Sequence, residues 1–312
     1  MELSILLLKK ILSMAVMMLM GYSCIKAKIV KEAHTPLLSA LLLYVFSPCL
    51  LFNAFVAVEY SREKLEALLL SAVICVFAQL FLIICSWAAG RSPLKADGTE
   101  QACMAYTNCG NLLVPLISSL LGMEYVFYLS PFVACVPIAC WVHMPRLLTG
   151  RSEFEVKRIL FNPCILAIEA GVVFFAADMR LPEIVGDAIT SVSSSIGSVS
   201  MLFTGMLLAG IDLKRAFLNA RYLIVSLMKL LLFPFMFIII IRISGITVNY
   251  PDTRALFLTA VMGASAPTAT MVLMMANQLG SSSESASAIS AMTTVLCIIT
   301  LPAMVFVFQL LC

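Results

Sequence analysis

Apolar runs of about 20 residues follow one another along nearly the whole chain, and that is the length a helix needs to cross a hydrocarbon layer of roughly 30 Å. No water there satisfies backbone N–H and C=O groups, so the chain must satisfy its own. The predicted spans are 5–23, 36–57, 65–89, 101–121, 124–143, 161–178, 185–210, 217–243, 252–279 and 285–311. With 62% apolar residues, 12% charged residues and a mean hydropathy of +1.05, the 312-residue chain needs lipid. Soluble domains average only about 45–50% apolar and about 25% charged. The connecting loops are too short to hold a soluble domain, so the fold class expected is an all-α membrane protein of ten transmembrane helices.

Lysine and arginine accumulate in cytoplasmic loops. With the N-terminus placed outside, the inner loops hold twelve cations: Lys26, Lys28, Lys31, Arg91, Lys95, Arg146, Arg151, Lys157, Arg158, Lys214, Arg215 and Arg221. The outer set holds seven: Lys9, Lys10, Arg62, Lys64, Arg180, Arg242 and Arg254. The bias predicts a multi-pass protein of a prokaryotic cell membrane with both termini outside. The first run leads directly into a second span without a small-residue cleavage site, so it reads as a helix and not as a signal peptide.

Eleven cysteines are scattered singly through the apolar segments, with no CxxC pair and no metal-ligand spacing. They read as small buried apolar side chains. The chain has neither HExxH nor a GxGD aspartate pair, and its two histidines, His34 and His143, lie near span ends, so an enzyme is not expected. No cofactor, metal or nucleic-acid partner is expected. A channel would show rings of charge or a carbonyl filter, and neither pattern is visible.

Landmarks of the first half return in the second. Gly21, Phe52 and Pro115 are separated by 31 and 63 residues; Gly171, Phe203 and Pro267 are separated by 32 and 64. Each half holds five spans, an odd number, so the second enters the membrane in the opposite sense. The expected organisation is a first five-helix repeat over 1–143, a cytoplasmic connecting loop over 144–160, and a second, inverted repeat over 161–312. Inverted repeats mark secondary transporters, whose substrate sites lie at the repeat interface where helices are broken.

Two broken helices are predicted at corresponding places. The fourth span, AYTNCGNLLVPLISSLLG, puts Asn108, Gly110, Asn111 and Pro115 in mid-membrane; the ninth, GASAPTATMVLMMANQLG, puts Gly263, Ser265, Pro267, Thr268 and Thr270 there. Proline removes a backbone hydrogen bond and crowds the preceding turn, and glycine eases unwinding. N–H groups freed at the start of each half-helix carry partial positive charge and can hold an anion. These nine residues are the candidate substrate site. Asn277 and Gln278 read as interfacial caps. Lys229 in the eighth span and Glu169 in the sixth are intramembrane ionisable groups and default to functional roles. Lys229 reads as counter-charge to an anion or partner to an acid. Glu169 reads either as a carrier of a coupling proton, because burial raises a carboxyl pKa, or as a polar partner in a fixed part of the protein. Ser47 and Asn53 around Pro48, and the serines from Ser193 to Ser200, read as close-packing helix surfaces within the subunit or across a dimer.

Four groups of segments carry a resemblance to a known family: GYSCIKAKIV with YVFSPCLLF; NCGNLLVPL; FNPCILAIEAGVVF with SMLFTGMLLA; and KLLLFPF with GASAPTATMVLMMANQLG and TTVLCIITLP. Together they resemble the auxin efflux carrier family, whose bacterial branch looks like permeases for dicarboxylates such as malate and malonate. The resemblance implies two inverted five-helix repeats, similar to bile acid sodium symporters. Helices one, two, six and seven would form a scaffold open to homodimerisation through helices two and seven. The others would form a moving transport domain that crosses at Pro115 and Pro267, with Asn108 or Asn111 near the substrate carboxylate. Asn111 and Leu112 stand where the family pattern NTGxxGxP has small residues, and Glu169 stands at a commonly apolar place. The function this implies is elevator-type transport of a small mono- or dicarboxylate, malate-, malonate- or auxin-like. A sodium-coupled symporter of the bile-acid type and a channel or sensor on the same fold are the alternatives. Proton coupling, sodium coupling and uniport all stay open.

Overall fold

The computed structural model describes residues 2–150 and 159–312, all of whose regular structure is helical. The first three spans are α1 (Glu2–Lys26), α2 (Glu32–Val56) and α3 (Arg62–Arg91). The fourth span is two pieces, α4 (Gly98–Ala105) and α5 (Cys109–Leu120). Then come α6 (Met123–Thr149), α7 (Pro163–Ala176), α8 (Glu183–Ala209) and α9 (Ala220–Ser244). The ninth span is again two pieces, α10 (Arg254–Ala264) and α11 (Thr270–Gln278), and α12 (Ser283–Leu311) closes the chain. Seven helices are long and apolar enough to cross a membrane, and α5 and α7 are shorter apolar helices.

Local chemistry sets several ends. Ser61 Oγ accepts the Lys64 N–H at 3.1 Å to start α3, and the Asn162 side chain accepts from Cys164 and Ile165 to start α7. Gly150 ends α6 in the left-handed region at φ +73°, which glycine adopts freely. Of the connecting loop expected over 144–160, residues 144–149 belong to α6, which carries on through Pro145 to Thr149. Of that loop's cations, Arg151, Lys157 and Arg158 lie outside the described residues.

Three prolines act alike. Pro48, Pro115 and Pro234 each follow a π-turn, at Leu42–Phe46, Cys109–Leu113 and Met228–Leu232. The residue before each proline donates its N–H five residues back: Ser47 to Leu42, Val114 to Cys109 and Phe233 to Met228. A proline ring crowds the carbonyl four residues earlier, and one widened turn relieves the clash without ending the helix. Pro131, Pro137 and Pro145 in α6 and Pro302 in α12 sit inside helices that stay α-helical.

The helices pack in two groups. In the first, α1 lies along α8, α2 lies along α7, and α8 also meets α2. The second gathers α3 to α6 with α9 to α12, where α3 meets α6 and α10, and α12 meets α9 and α11. The glycines picked out by spacing do equivalent work in the first group. A Cβ on Gly21 of α1 would strike the Leu202 carbonyl of α8, and one on Gly171 of α7 would lie 2.7 Å from the Phe55 ring of α2. Gly205 returns the first contact, its missing Cβ leaving room for the Met18 carbonyl. Such close approach of backbones is how small residues hold helices together in lipid, where no hydrophobic force drives them. Asn53 of α2 donates to Ser193 Oγ of α8 at 3.1 Å, so these two polar residues serve packing within the subunit.

A crossover of two broken helices and its cavity

The fourth and ninth spans break where they cross. Tyr106–Asn108 and Ser265–Ala269 run without helix, and Thr107 pairs with Thr268 in an antiparallel bridge. The Asn108 N–H donates to the Pro267 carbonyl at 2.7 Å, and the Ala269 N–H donates to the Tyr106 carbonyl at 3.1 Å. Thr268 is tied twice more: its hydroxyl donates to the Cys103 carbonyl at 2.9 Å, and its N–H donates to Thr293 Oγ1 of α12 at 3.2 Å. Gln79 of α3 donates to the Ala105 carbonyl at 3.1 Å. The carbonyls of Cys103, Ala105 and Tyr106 thus find partners from α3 and from the ninth span, which is what lets backbone leave the helix at membrane depth.

The crossing is not at Pro115 and Pro267, as the sequence reading expects. Pro267 does sit in the unwound stretch, but Pro115 is buried near the start of the regular part of α5, beside Gly197 of α8. It widens the turn before it, whereas the break itself lies upstream at Thr107.

Two half-helices start at the crossing, α5 after Asn108 and α11 after Ala269, and neither has a side-chain cap on its first turn. Both starts face one cavity of about 500 Å³. Thr107, Asn108, Cys109, Gly110, Asn111, Ala269 and Thr270 form its floor. Tyr44 and Ser47 of α2, Val136 and Trp141 of α6, Phe161 and Asn162 before α7, and Met271, Met274 and Gln278 of α11 form its walls. The cavity therefore lies between the two helix groups, on the side of the molecule where α6 ends and α7 begins.

Of the candidate site residues, Asn108, Gly110, Asn111 and Thr270 line this cavity. Thr268 is buried in the bridge beneath it. Ser265 is buried and donates to Val261 of its own helix at 2.7 Å. Gly263 is packed against Phe132, 3.1 Å from where its Cβ would be, and its carbonyl receives the Cys109 thiol at 3.8 Å. Neither faces the cavity floor.

Lys229 is 0% exposed, and its ammonium nitrogen has no hydrogen-bond partner among the described residues. It stands in the π-turn of α9 against α4 and α12, and does not line the cavity. Glu169 departs from the proton-carrier expectation: it is exposed on α7. It lacks the burial on which the proton-carrier reading rests. With Leu166 and Val173 also exposed around it, an all-apolar helix context had not distinguished the outward face from the inward one.

Residues the sequence reading missed include Thr107, Cys109 and Ala269 at the crossing, Gln79 and Thr293 that tie it, and the cavity walls Tyr44, Trp141, Met274 and Gln278. Gln79 carried a usable signal, being an amide in the middle of an otherwise apolar span. Gln278, expected as an interfacial cap, is exposed at the cavity rim.

No curated protein matches the chain. A family model described as membrane transport protein, of auxin efflux carrier-like type, matches residues 6–158 and, a second time, residues 151–305. Two copies of one family pattern thus cover a helical, multi-pass membrane chain almost from end to end, and the chain belongs to the auxin efflux carrier-like family of membrane transport proteins.

Proposed function

We propose that the protein carries a small organic anion across the membrane by alternating access, with the carboxylate held on the floor of the crossover cavity. The observation that carries this reading is the meeting of two uncapped half-helix starts, those of α5 and α11, at one cavity beside the amides of Asn108 and Asn111. Helix starts present N–H groups and partial positive charge, the chemistry a carboxylate needs. Broken helices whose ends point at an anionic group near the midplane are a recurrent transporter site. The walls, with Tyr44, Trp141, Phe161 and Met274, suit a substrate with an apolar body behind a single carboxylate better than a compact dicarboxylate.

Ten spans in two inverted repeats account for the doubled family match and the two crossed breaks. In this reading the α1, α2, α7 and α8 group is the scaffold, and the remaining helices move past it as a rigid body. The exposed serines of α8, Ser191, Ser194 and Ser195, give that scaffold a close-packing face for a second copy. Both termini lie outside, and the cavity opens inward.

Counterflow into proteoliposomes tests the function. Vesicles loaded with unlabelled malate, malonate or indole-3-acetate are expected to take up the labelled anion. Failure with every anion tried, alongside uptake of a cation, would overturn it.

A further inference from the structure

The most anomalous side chain in the molecule is Lys229. A fully buried amine with no hydrogen-bond partner is costly unless a charge arrives to meet it. It lies in a π-turn, a widening that often accompanies function. Its helix packs against α4, whose C-terminal carbonyls end at the crossing, and against α12, which supplies Thr293 to the same crossing. The titratable side chains buried where α4 ends and α5 begins include the thiols of Cys103 and Cys109. The carboxylates on the packed elements are engaged elsewhere: Glu100 of α4 with Arg221, and Glu284 of α12 with Arg215 at 3.2 Å. No acid is left on those elements to be its partner, so the pairing with an acid considered from sequence has no member there.

The π-turn that holds Lys229 packs against α4, the half-helix that runs into the crossing at the cavity floor, so the amine lies beside the crossing without lining the cavity. An ammonium and a carboxylate on two sides of one crossover stabilise each other across a medium of low dielectric constant. By linkage, whatever favours one then favours binding of the other to the same degree.

We propose that Lys229 carries the coupling ion, a proton, so that the protein is a proton–anion symporter and not a sodium symporter; this rests on the anion reading given above. With the cavity open to one side, the amine lone pair takes a proton from hydronium, leaving water, while the carboxylate binds at the helix starts. One proton crosses with each anion and offsets one carboxylate charge, and on the far side the ammonium returns its proton to water as the anion leaves. The built-in amine takes the role that a bound metal cation would otherwise fill at the crossing.

The test uses full-length protein in proteoliposomes with labelled malonate and labelled indole-3-acetate as probes. Counterflow at equal pH is measured first, then accumulation driven by an acid-outside gradient and by a sodium gradient. The wild-type protein is expected to accumulate probe about tenfold or more with the pH gradient and to ignore sodium. Lys229→Arg keeps a cation but cannot release its proton, so it should still exchange probe, more slowly, while accumulation disappears. Lys229→Met should lose accumulation too and bind the probe more weakly. Wild-type counterflow without response to pH, or with response to sodium, overturns the coupling and leaves the anion reading standing. So does a Lys229→Arg protein that accumulates normally. Absence of counterflow for every anion overturns both.

Discussion

Arg221 at the start of α9 grips Glu100 in the first turn of α4, with Nη2 donating to Oε2 at 2.7 Å and Nε to Oε1, and a further bond from Nη2 to the Lys95 carbonyl at 3.0 Å. Glu100 is 2% exposed on its side chain and also receives the Asp97 N–H at 2.9 Å, closing a capping box. The pair ties the helix that ends at the crossing to the helix that carries Lys229.

Breaking that tie has a measurable consequence. Removing one partner of a charge-assisted bond leaves the other unsatisfied and costs about 1.5–3 kcal/mol, the more so where the acid is buried. Arg221→Met and Glu100→Gln should each lower the thermal unfolding temperature in detergent by several degrees. The double variant should be less destabilised than the sum of the two. Additive losses would mean that the two side chains do not act as a unit.

Thr268 is the most heavily tied residue of the crossing, through its N–H, its hydroxyl and its bridge to Thr107. Thr268→Val keeps the shape and removes only the donor to the Cys103 carbonyl. A buried carbonyl left unpaired costs about 1–3 kcal/mol, and here that strain falls on the floor of the cavity. The maximal counterflow rate should drop roughly tenfold or more, with Thr268→Ser restoring most of it. Equal rates in the valine and serine proteins would show that the hydroxyl is not needed.

Asn108 and Asn111 line the floor with amide donors. A hydrogen bond to a charged group is worth about 1.5–3 kcal/mol, so Asn108→Ala and Asn111→Ala should each raise the anion concentration needed for half-maximal transport by roughly 10–100-fold. Ser265→Ala, at a hydroxyl already satisfied by its own helix, should leave that concentration unchanged. Titration of labelled-anion uptake separates the three. An unaltered response in both asparagine variants would remove these residues from the site.

The existence and order of the helices were legible because hydropathy over about 20 residues is a strong signal, and the predicted spans agree with the observed ones to within a turn or so in most cases. The doubled architecture was legible from spacing: Gly21 and Gly171, matched as letters, prove to be the close contacts α1–α8 and α7–α2. The break in the ninth span was legible from Pro267, whereas the break in the fourth was misplaced. A proline can end a helix, widen one turn or sit inside an α-helix untouched, and Pro267, Pro115 and Pro137 do these three things. Which occurs depends on partners such as Gln79 and Thr293, contributed from distant parts of the chain. Whether Lys229 and Glu169 face inward or outward was not readable, because lipid and protein interior are equally apolar and a helix such as α7 has no polar face to orient it.

The cavity makes a last prediction about access. Gln278 at its rim and Met274 on its wall, 52% exposed, lie on the side of the molecule where α6 ends and α7 begins. In the orientation proposed above, that side faces the cytoplasm. The eleven native thiols are all buried or half-buried among the described residues, giving a low labelling background. Gln278→Cys and Met274→Cys should therefore react with a membrane-impermeant maleimide in inside-out vesicles and resist it in intact cells. A transported anion should slow labelling at Met274→Cys more than at Gln278→Cys, because the first lies deeper. Labelling from outside alone would reverse the proposed orientation. Labelling from inside that no anion slows would separate this cavity from the transport path.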